Sequence, residues 1–366
     1  MPRRAAPIKY APSGHPFIRT RIDGRQVYRT FDTEAEAAAW WHQIEADKSR
    51  GVEISPRDAA VTFREYAETW RAQQLWEYGT AQLVRNSLEV HLYPQIGDVP
   101  LGRLRPTQLQ GVVSELAGRL SPSTLRNQTV MHLKQVLNAA VADRMIPSNP
   151  ATRLRLPRHI PVEVVIPTVE EVAVMRNSID ARFRALVVVG LGLGLRQGEA
   201  FGLSVDRVDF LRREVRIDRQ LKRVERGMIL GKLKTQNSYR TIPLPDLVGD
   251  ELALHLERFP NDDPDGLLFV AAQGGRLRSD GWNRRTWKPA VRAAGRSDLG
   301  FHSLRHFYAS ALIRDGQSAA AVARRLGNTA AMVNETYSHL WPDEDDRTRS
   351  TIDGLFSPDA ENRAAG

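Results

Sequence analysis

The chain has 366 residues, with 52 Lys plus Arg against 43 Asp plus Glu, a formal net charge of +9. A chain of this length buries about three quarters of its unfolded surface without covalent staples, and about two or three domains are expected. The absence of cysteine excludes disulfides, thiolate zinc sites and thiol nucleophiles, while the basic excess favours a polyanionic partner, nucleic acid or an anionic membrane.

The first part, to about residue 54, opens on a hairpin pattern. Phe17 to Ile22 alternates, Asp23-Gly24 is a two-residue turn signal, and Arg25 to Phe31 alternates again. Thr33 with Glu36 predicts a capping box, opening an Ala-rich helix through Trp40, Trp41 and Ile44. Arg19, Arg21, Arg25 and Arg29 stud the hairpin. They read either as solvated strand charges or as a β-ribbon that a DNA major groove can admit.

Ser55-Pro56-Arg57-Asp58 reads as a linker, and a second part, about 60–146, reads as all helical. Leu125, Val130, Leu133, Val136, Leu137 and Val141 recur at three- and four-residue spacing behind a Ser121-Pro122-Ser123 start. Arg126 and Lys134 fall among the polar residues of the other face. Pro147-Ser148-Asn149-Pro150 then opens a proline-punctuated connection to Pro167.

The third part, from about residue 165, mixes strands and helices. Strands are predicted at Val208 to Phe210, Glu214 to Ile217, Tyr239 to Leu244 and Leu267 to Val270. Helices are predicted at Asp280 to Ala294, Ser303 to Arg314, Ser318 to Leu326 and Ala330 to Leu340. Strands early and helices late favour α+β over a doubly wound sheet.

Several chemistries fail on spacing. The run Ala185 to Leu195 contains Gly190, Gly192 and Gly194, but the dinucleotide fingerprint would need glycine where Gln197 stands. Gly231-Lys232 is followed by Leu233, so no phosphate loop of the G-x-x-x-x-G-K-[ST] type exists. That apolar run is also too short to cross a bilayer. Met1-Pro2-Arg3-Arg4 lacks the apolar stretch of a secretory signal, so a cytoplasmic protein without a membrane partner is expected. The histidines and carboxylates form no metal-ligand motif, and no cofactor is expected.

What remains is a dispersed basic set and one tyrosine. Arg196 stands in Leu195-Arg196-Gln197-Gly198-Glu199. Lys234 stands in Leu233-Lys234-Thr235-Gln236-Asn237-Ser238-Tyr239-Arg240. His302 and Arg305 stand in His302-Ser303-Leu304-Arg305-His306, and Tyr337 in Glu335-Thr336-Tyr337-Ser338-His339, after Leu326-Gly327. Taken singly, each basic residue reads as a surface charge and Tyr337 as a core aromatic.

Taken together, in this order, they resemble the tyrosine recombinases and, within them, the phage-type integrases. The resemblance is specific over the third part and weaker over the second. It implies a multidomain fold: a three-stranded sheet-plus-helix module at 1–54 gripping arm-type DNA sites, an all-α SAM-like core-binding domain at 60–146, an α+β catalytic domain at 165–345, and a tail at 346–366. It also implies a DNA recombinase for phage or mobile-element integration, working through a 3′-phosphotyrosine without metal or ATP.

The residues suit that chemistry. Tyr337 is the implied nucleophile, and a phenol titrating near 10 needs neighbouring cations. Arg196 and Arg305 can clamp a phosphorane bidentately. Lys234, on a hairpin, can protonate the departing 5′ oxygen, and His302 serves as general base or phosphate ligand. Glu199 is expected to orient its neighbourhood, with His306 and His339 either structural or supporting the site from just behind it. The family usually carries His or Trp where Asn328 follows Gly327, and Asn can donate a hydrogen bond but not carry charge.

Expected partners are double-stranded DNA at core and arm attachment sites, three further copies of the chain in a homotetramer, a host architectural protein and an excision factor, in the bacterial cytoplasm at the nucleoid. Arg19, Arg21, Arg25, Arg29, Arg126 and Lys134 are the expected DNA-contacting cations. Two other readings stay open: a DNA-binding regulator on a weakened scaffold, and a type IB topoisomerase-like nicking-closing activity.

Overall fold

A computed structural model describes residues 6–22, 25–49, 57–158, 164–341 and 349. The chain separates into two compact units, Met1–Pro161 and Val162–Gly366, and the first holds two separate hydrophobic cores.

The smaller core belongs to a three-stranded antiparallel sheet, β1 (Ile8–Tyr10), β2 (Pro16–Ile22) and β3 (Arg25–Thr30), in sequence order. Alternation sends Ile18 inward, fully buried against Phe31 and against Ala37 and Trp41 of α1 (Glu34–Ser49). Thr33 Oγ1 accepts the Glu36 amide at 3.3 Å, fixing the start of α1. The expected Asp23-Gly24 turn lies outside the described residues.

The larger core is helical: α2 (Phe63–Ala72), α3 (Tyr78–Asn86), α4 (Tyr93–Ile96), α5 (Pro106–Ala117), α6 (Pro122–Thr124) and α7 (Met131–Ala142). Thr62 and Glu65 form a reciprocal capping box on α2. Ser121 Oγ caps α6, accepting the Thr124 amide at 3.1 Å. The chain then runs through a wider turn, Leu125–Val130, into α7. Leu125, Leu133, Val136 and Leu137 are fully buried, as their spacing predicts, and Val141 packs at the margin. Ser55 and Pro56 of the first expected linker lie outside the described residues.

The second unit begins with α8 (Val169–Ser178), α9 (Arg184–Leu193) and α10 (Gln197–Phe201). Strands β4 (Val208–Asp209), β5 (Glu214–Ile217), β6 (Arg219–Val224), β7 (Gly227–Lys232) and β8 (Arg240–Pro243) follow. They form an antiparallel sheet in the order β4-β5-β8 and a separate β6–β7 hairpin. Then come α11 (Asp246–Arg258), α12 (Ser279–Trp282), α13 (Lys288–Ala293), α14 (His302–Arg314), α15 (Ala319–Leu326) and α16 (Ala330–Tyr337). The unit is α+β.

The apolar run at Ala185 is the central helix of this unit: Ala185 to Val189 and Leu193 are all buried. Its glycines serve packing rather than phosphate. Gly194 ends α9 at φ +60°, a left-handed cap, and a Cβ there would lie 2.4 Å from Tyr308 Cδ1 on α14.

Two expectations need correction. Leu267 to Val270 forms no strand; single bridges tie Leu267 to Ser204 and Val270 to Arg276. All four residues are buried, so their apolar run reflects burial without a ladder. The β6–β7 hairpin was not anticipated, and Lys234 lies beyond its end rather than on it. The apolar Ile352, Leu355 and Phe356, and the acidic Asp343 to Asp346, lie outside the described residues.

Candidate active site

Two arginines distant in sequence meet at one amide. Arg196 precedes α10, where Glu199 accepts its backbone N–H at 3.0 Å and its Nη1 at 2.9 Å. Its Nη2 donates to the Gly327 carbonyl at 3.2 Å and to Asn328 Oδ1 at 2.5 Å. Arg305, one turn into α14, is only 1% exposed. It donates to the Gly194 carbonyl (2.8 Å), the Leu326 carbonyl (2.6 Å) and the same Asn328 Oδ1 (3.1 Å). Burial first, then the Arg196 charge, pulls Arg305 down to about 9. It remains a cation at neutral pH.

Asn328 is thus held by its carbonyl oxygen, which leaves its amide N–H₂ as a donor. It does not cap α16. Thr329 does that, its Oγ1 accepting the Met332 amide at 3.2 Å. The turn carrying Asn328 exists because Gly327 ends α15 at φ +66°. A Cβ at Gly327 would stand 3.0 Å from Arg240 Nη1 and 3.1 Å from Ser238 Cα.

Beneath Arg196 lies a buried ion pair that sequence reading did not find. Glu199 and Arg240 have side chains 1% and 5% exposed and bond at 2.8 Å. Arg240 also donates to the Arg325 carbonyl at 2.8 Å and the Ser238 carbonyl at 2.9 Å. Burial works to raise Glu199, but the bonds and charges of Arg240 and Arg196 outweigh it and hold the carboxylate below its ordinary range. One carboxylate therefore locks α10, β8 and the end of α15 together.

Lys234 is exposed, and no ion pair holds it among the described residues. It lines a 310 Å³ cleft with Arg196, Gln220, Thr235, Gly327 and Asn328. An unpaired ammonium at the rim of a cationic cleft suits a group that must reach a ligand.

Tyr337, the last residue of α16, is 3% exposed. Burial pushes its hydroxyl up to about 12, and the Arg305 charge offsets only part of this. The cations expected to acidify it do not outweigh that burial. Its oxygen lies 2.6 Å from Nδ1 of His306, a histidine expected to be structural or to support the site from behind. His302 stands one turn earlier, its ring perpendicular to that of His306 with centroids 4.6 Å apart. His302 is open at its rim, yet lost solvation and then Arg305 and Arg196 bring it down to about 4.

The structure therefore brings Arg196, Arg305 and Asn328 into one bonded set, places Lys234 at its cleft, and sets His302 beside His306 rather than on Tyr337. The expected DNA-contacting cations are dispersed. Arg19 is exposed and donates to Gln26 at 2.8 Å. Arg29 stacks over Phe31 and Trp40, 5.3 and 5.6 Å from their centroids. Arg21 and Arg25 pair with Gln26 and Ile22 in the strand register, and their side chains lie outside the described set. Arg126 donates to the Pro157 carbonyl and Lys134 to the Thr152 carbonyl, at 3.3 and 3.4 Å, tying the departing chain to the Leu125–Val130 turn and to α7. Among the described residues no group of three or more His, Asp or Glu converges as a metal site. No described helix is long and apolar enough to cross a membrane.

A two-unit α+β chain with two arginines joined through one amide, a lysine at their cleft and a buried tyrosine is the architecture of a tyrosine recombinase. The Phage integrase family matches residues 166–344, and the Phage integrase central domain matches residues 63–156. The chain belongs to the phage integrase family. Among its relatives is the integrase of Mycobacterium phage D29, 26% identical over 353 residues, spanning 91% of this chain and 92% of that one. The fold is similar to that of the Tn1549 transposon integrase in complex with a circular intermediate DNA, with TM-score 0.67, 20% identity, and 80% and 99% of the two chains covered. It is also similar to a lambda integrase tetramer bound to a Holliday junction, with TM-score 0.60, 15% identity, and 94% and 97% covered.

Proposed function

We propose that this protein inserts and excises a mobile DNA element by cutting and rejoining DNA at specific sites through a covalent phosphotyrosine. The observation that carries the reading is the single bonded set of Arg196, Asn328 and Arg305, assembled across 132 positions of sequence. Two fixed guanidiniums and an outward amide N–H₂ supply donors for the non-bridging oxygens of a phosphorane. Tyr337 Oη attacks the scissile phosphorus, and Lys234 protonates the leaving 5′ oxygen. The bond energy stays in the phosphotyrosine, so rejoining needs no ATP.

The partner is double-stranded DNA. In the bacterial cytoplasm at the nucleoid, the helical part of about 60–146 and the catalytic part of about 165–345 hold the crossover core. The sheet module of residues 1–54 holds an arm site. The likeness to a tetramer on a Holliday junction supports four copies acting together, with a host architectural protein and an excision factor setting direction. The engagement of Asn328 by both arginines favours a working site over a decayed regulator.

The test is covalent capture. Wild-type protein in EDTA is incubated with nicked duplexes randomised across the core and resolved on a denaturing gel. An adduct with wild type and none with Tyr337→Phe, at equal DNA binding, is expected. An undiminished adduct in the Phe variant would remove Tyr337 from the chemistry.

A further inference from the structure

Tyr337 must lose a proton when its oxygen bonds to phosphorus. Its hydroxyl is buried, so water is a poor recipient. Among the described residues, the polar atom recorded at hydrogen-bonding distance is His306 Nδ1, at 2.6 Å, and the two rings meet edge to face with centroids 5.6 Å apart. If His306 instead donated from Nδ1, the buried phenolic proton would have no acceptor there.

We infer that His306 is the general base of cleavage: its Nδ1 takes the Tyr337 proton as the Oη–P bond forms. This rests on the recombinase reading above and adds a residue to it. The P–O5′ bond breaks, the departing oxygen receives its proton from Lys234, and His306 holds the tyrosine proton as imidazolium. His302 stands perpendicular to His306 and is open to solvent at its rim. Rejoining runs the same transfers backward, returning a proton to Tyr337 as its phosphate bond breaks.

The charges facing His306 explain when it can act. His302 and Arg305 reach it from its own helix, and Tyr337 from α16. Burial first, then neighbouring His302 and the Arg305 charge, bring His306 down to about 4, so at neutral pH its ring is uncharged and can accept. A docked phosphodiester adds negative charge beside Arg305, which favours the imidazolium and opposes the effect of that cation. A phosphodiester beside Arg305 therefore strengthens the base.

The test uses the full-length protein and the nicked duplex recovered by covalent capture, in single-turnover cleavage. One substrate carries the natural 5′ oxygen; a second carries sulfur at that position, a leaving group that needs no acid. Asn at position 306 can accept the tyrosine hydrogen bond but not the proton. His306→Asn should bind DNA normally yet cleave roughly 100- to 1,000-fold slower on both substrates. Its rate should rise about tenfold per pH unit as the phenol ionises unaided. Lys234→Ala, by contrast, should recover on the sulfur substrate. A His306→Asn rate within about threefold of wild type, or rescue of that variant by sulfur, would overturn the assignment. If the variant does not fold, nitrogen NMR of wild type decides: Nδ1 should be unprotonated, and a proton on it overturns the proposal. Failure of the wild-type chain to form any adduct would instead strike the recombinase reading itself.

Discussion

Asn328 Oδ1 stands between Arg196 and Arg305, accepting one Nη2 proton from each at 2.5 and 3.1 Å. The amide therefore does two things at once: it stands between two like charges and keeps its N–H₂ out of both bonds. Asn328→Ala should slow single-turnover cleavage by one to two orders of magnitude, taking about 1.5–3 kcal/mol for a hydrogen bond to a charged group. Asn328→Asp keeps the acceptor but loses the donor and adds a negative charge, so it should melt at or above wild type and cleave poorly. An Asp variant that cleaves at the wild-type rate would show that the N–H₂ never meets phosphate.

The Glu199–Arg240 pair makes a separate claim about stability. Removing one partner of a buried pair leaves the other charge without compensation, at a cost of about 3–5 kcal/mol. Arg240→Ala should show that loss in urea denaturation of the full chain. Glu199→Gln removes the charge that compensates buried Arg240 and turns an amide N–H₂ toward donors at one of the two oxygen positions, so it should lose at least as much. A drop below about 1 kcal/mol for Arg240→Ala would mean the pair behaves as a surface bridge.

Acid should loosen the catalytic unit earlier than carboxylate protonation alone would. His302 and His306 fall from 6.5 in the free residue to about 4 in the fold. Between those values the unfolded chain binds more protons, so stability rises with pH. The contribution is fully present above about pH 6.5 and is lost as pH falls through about 4. Melting curves from pH 7 to pH 4.5 should therefore fall steeply for wild type and less so for His306→Asn. Parallel curves would show that His306 does not titrate in that window.

The sheet module invites a deletion. Protein lacking residues 1–54 should keep its grip on core DNA and lose a second, arm-type footprint, while full-length binding should fall steeply with salt as phosphate contacts release counterions. Identical footprints would take Arg19 and its neighbours out of the DNA-binding account.

The sequence carries the site unevenly, and for physical reasons. Arg196, His302, Arg305 and Tyr337 stand out in the sequence because their local contexts are short and ordered along the chain, and the fold joins Arg196 and Arg305 at Asn328. The Glu199–Arg240 pair does not stand out, since 41 positions separate two residues that each look ordinary alone. His306 had a signal that went unused: it lies four residues after His302, hence on one face of α14. The β6–β7 hairpin escaped because neither strand alternates cleanly between buried and exposed. The core helix at Ala185 was visible as an apolar run, but only its packing against Tyr308 explains why glycine ends it.

Both arginines are fastened to helix ends: Arg305 to the Gly194 carbonyl closing α9, and Arg196 to the Gly327 carbonyl closing α15. A helix C-terminus carries roughly half a negative charge, so each guanidinium meets a fixed counter-dipole before any nucleic acid arrives. The two cations need no anion from solution to sit side by side. On the proposed function, the pocket that meets DNA has its cations already held by the fold.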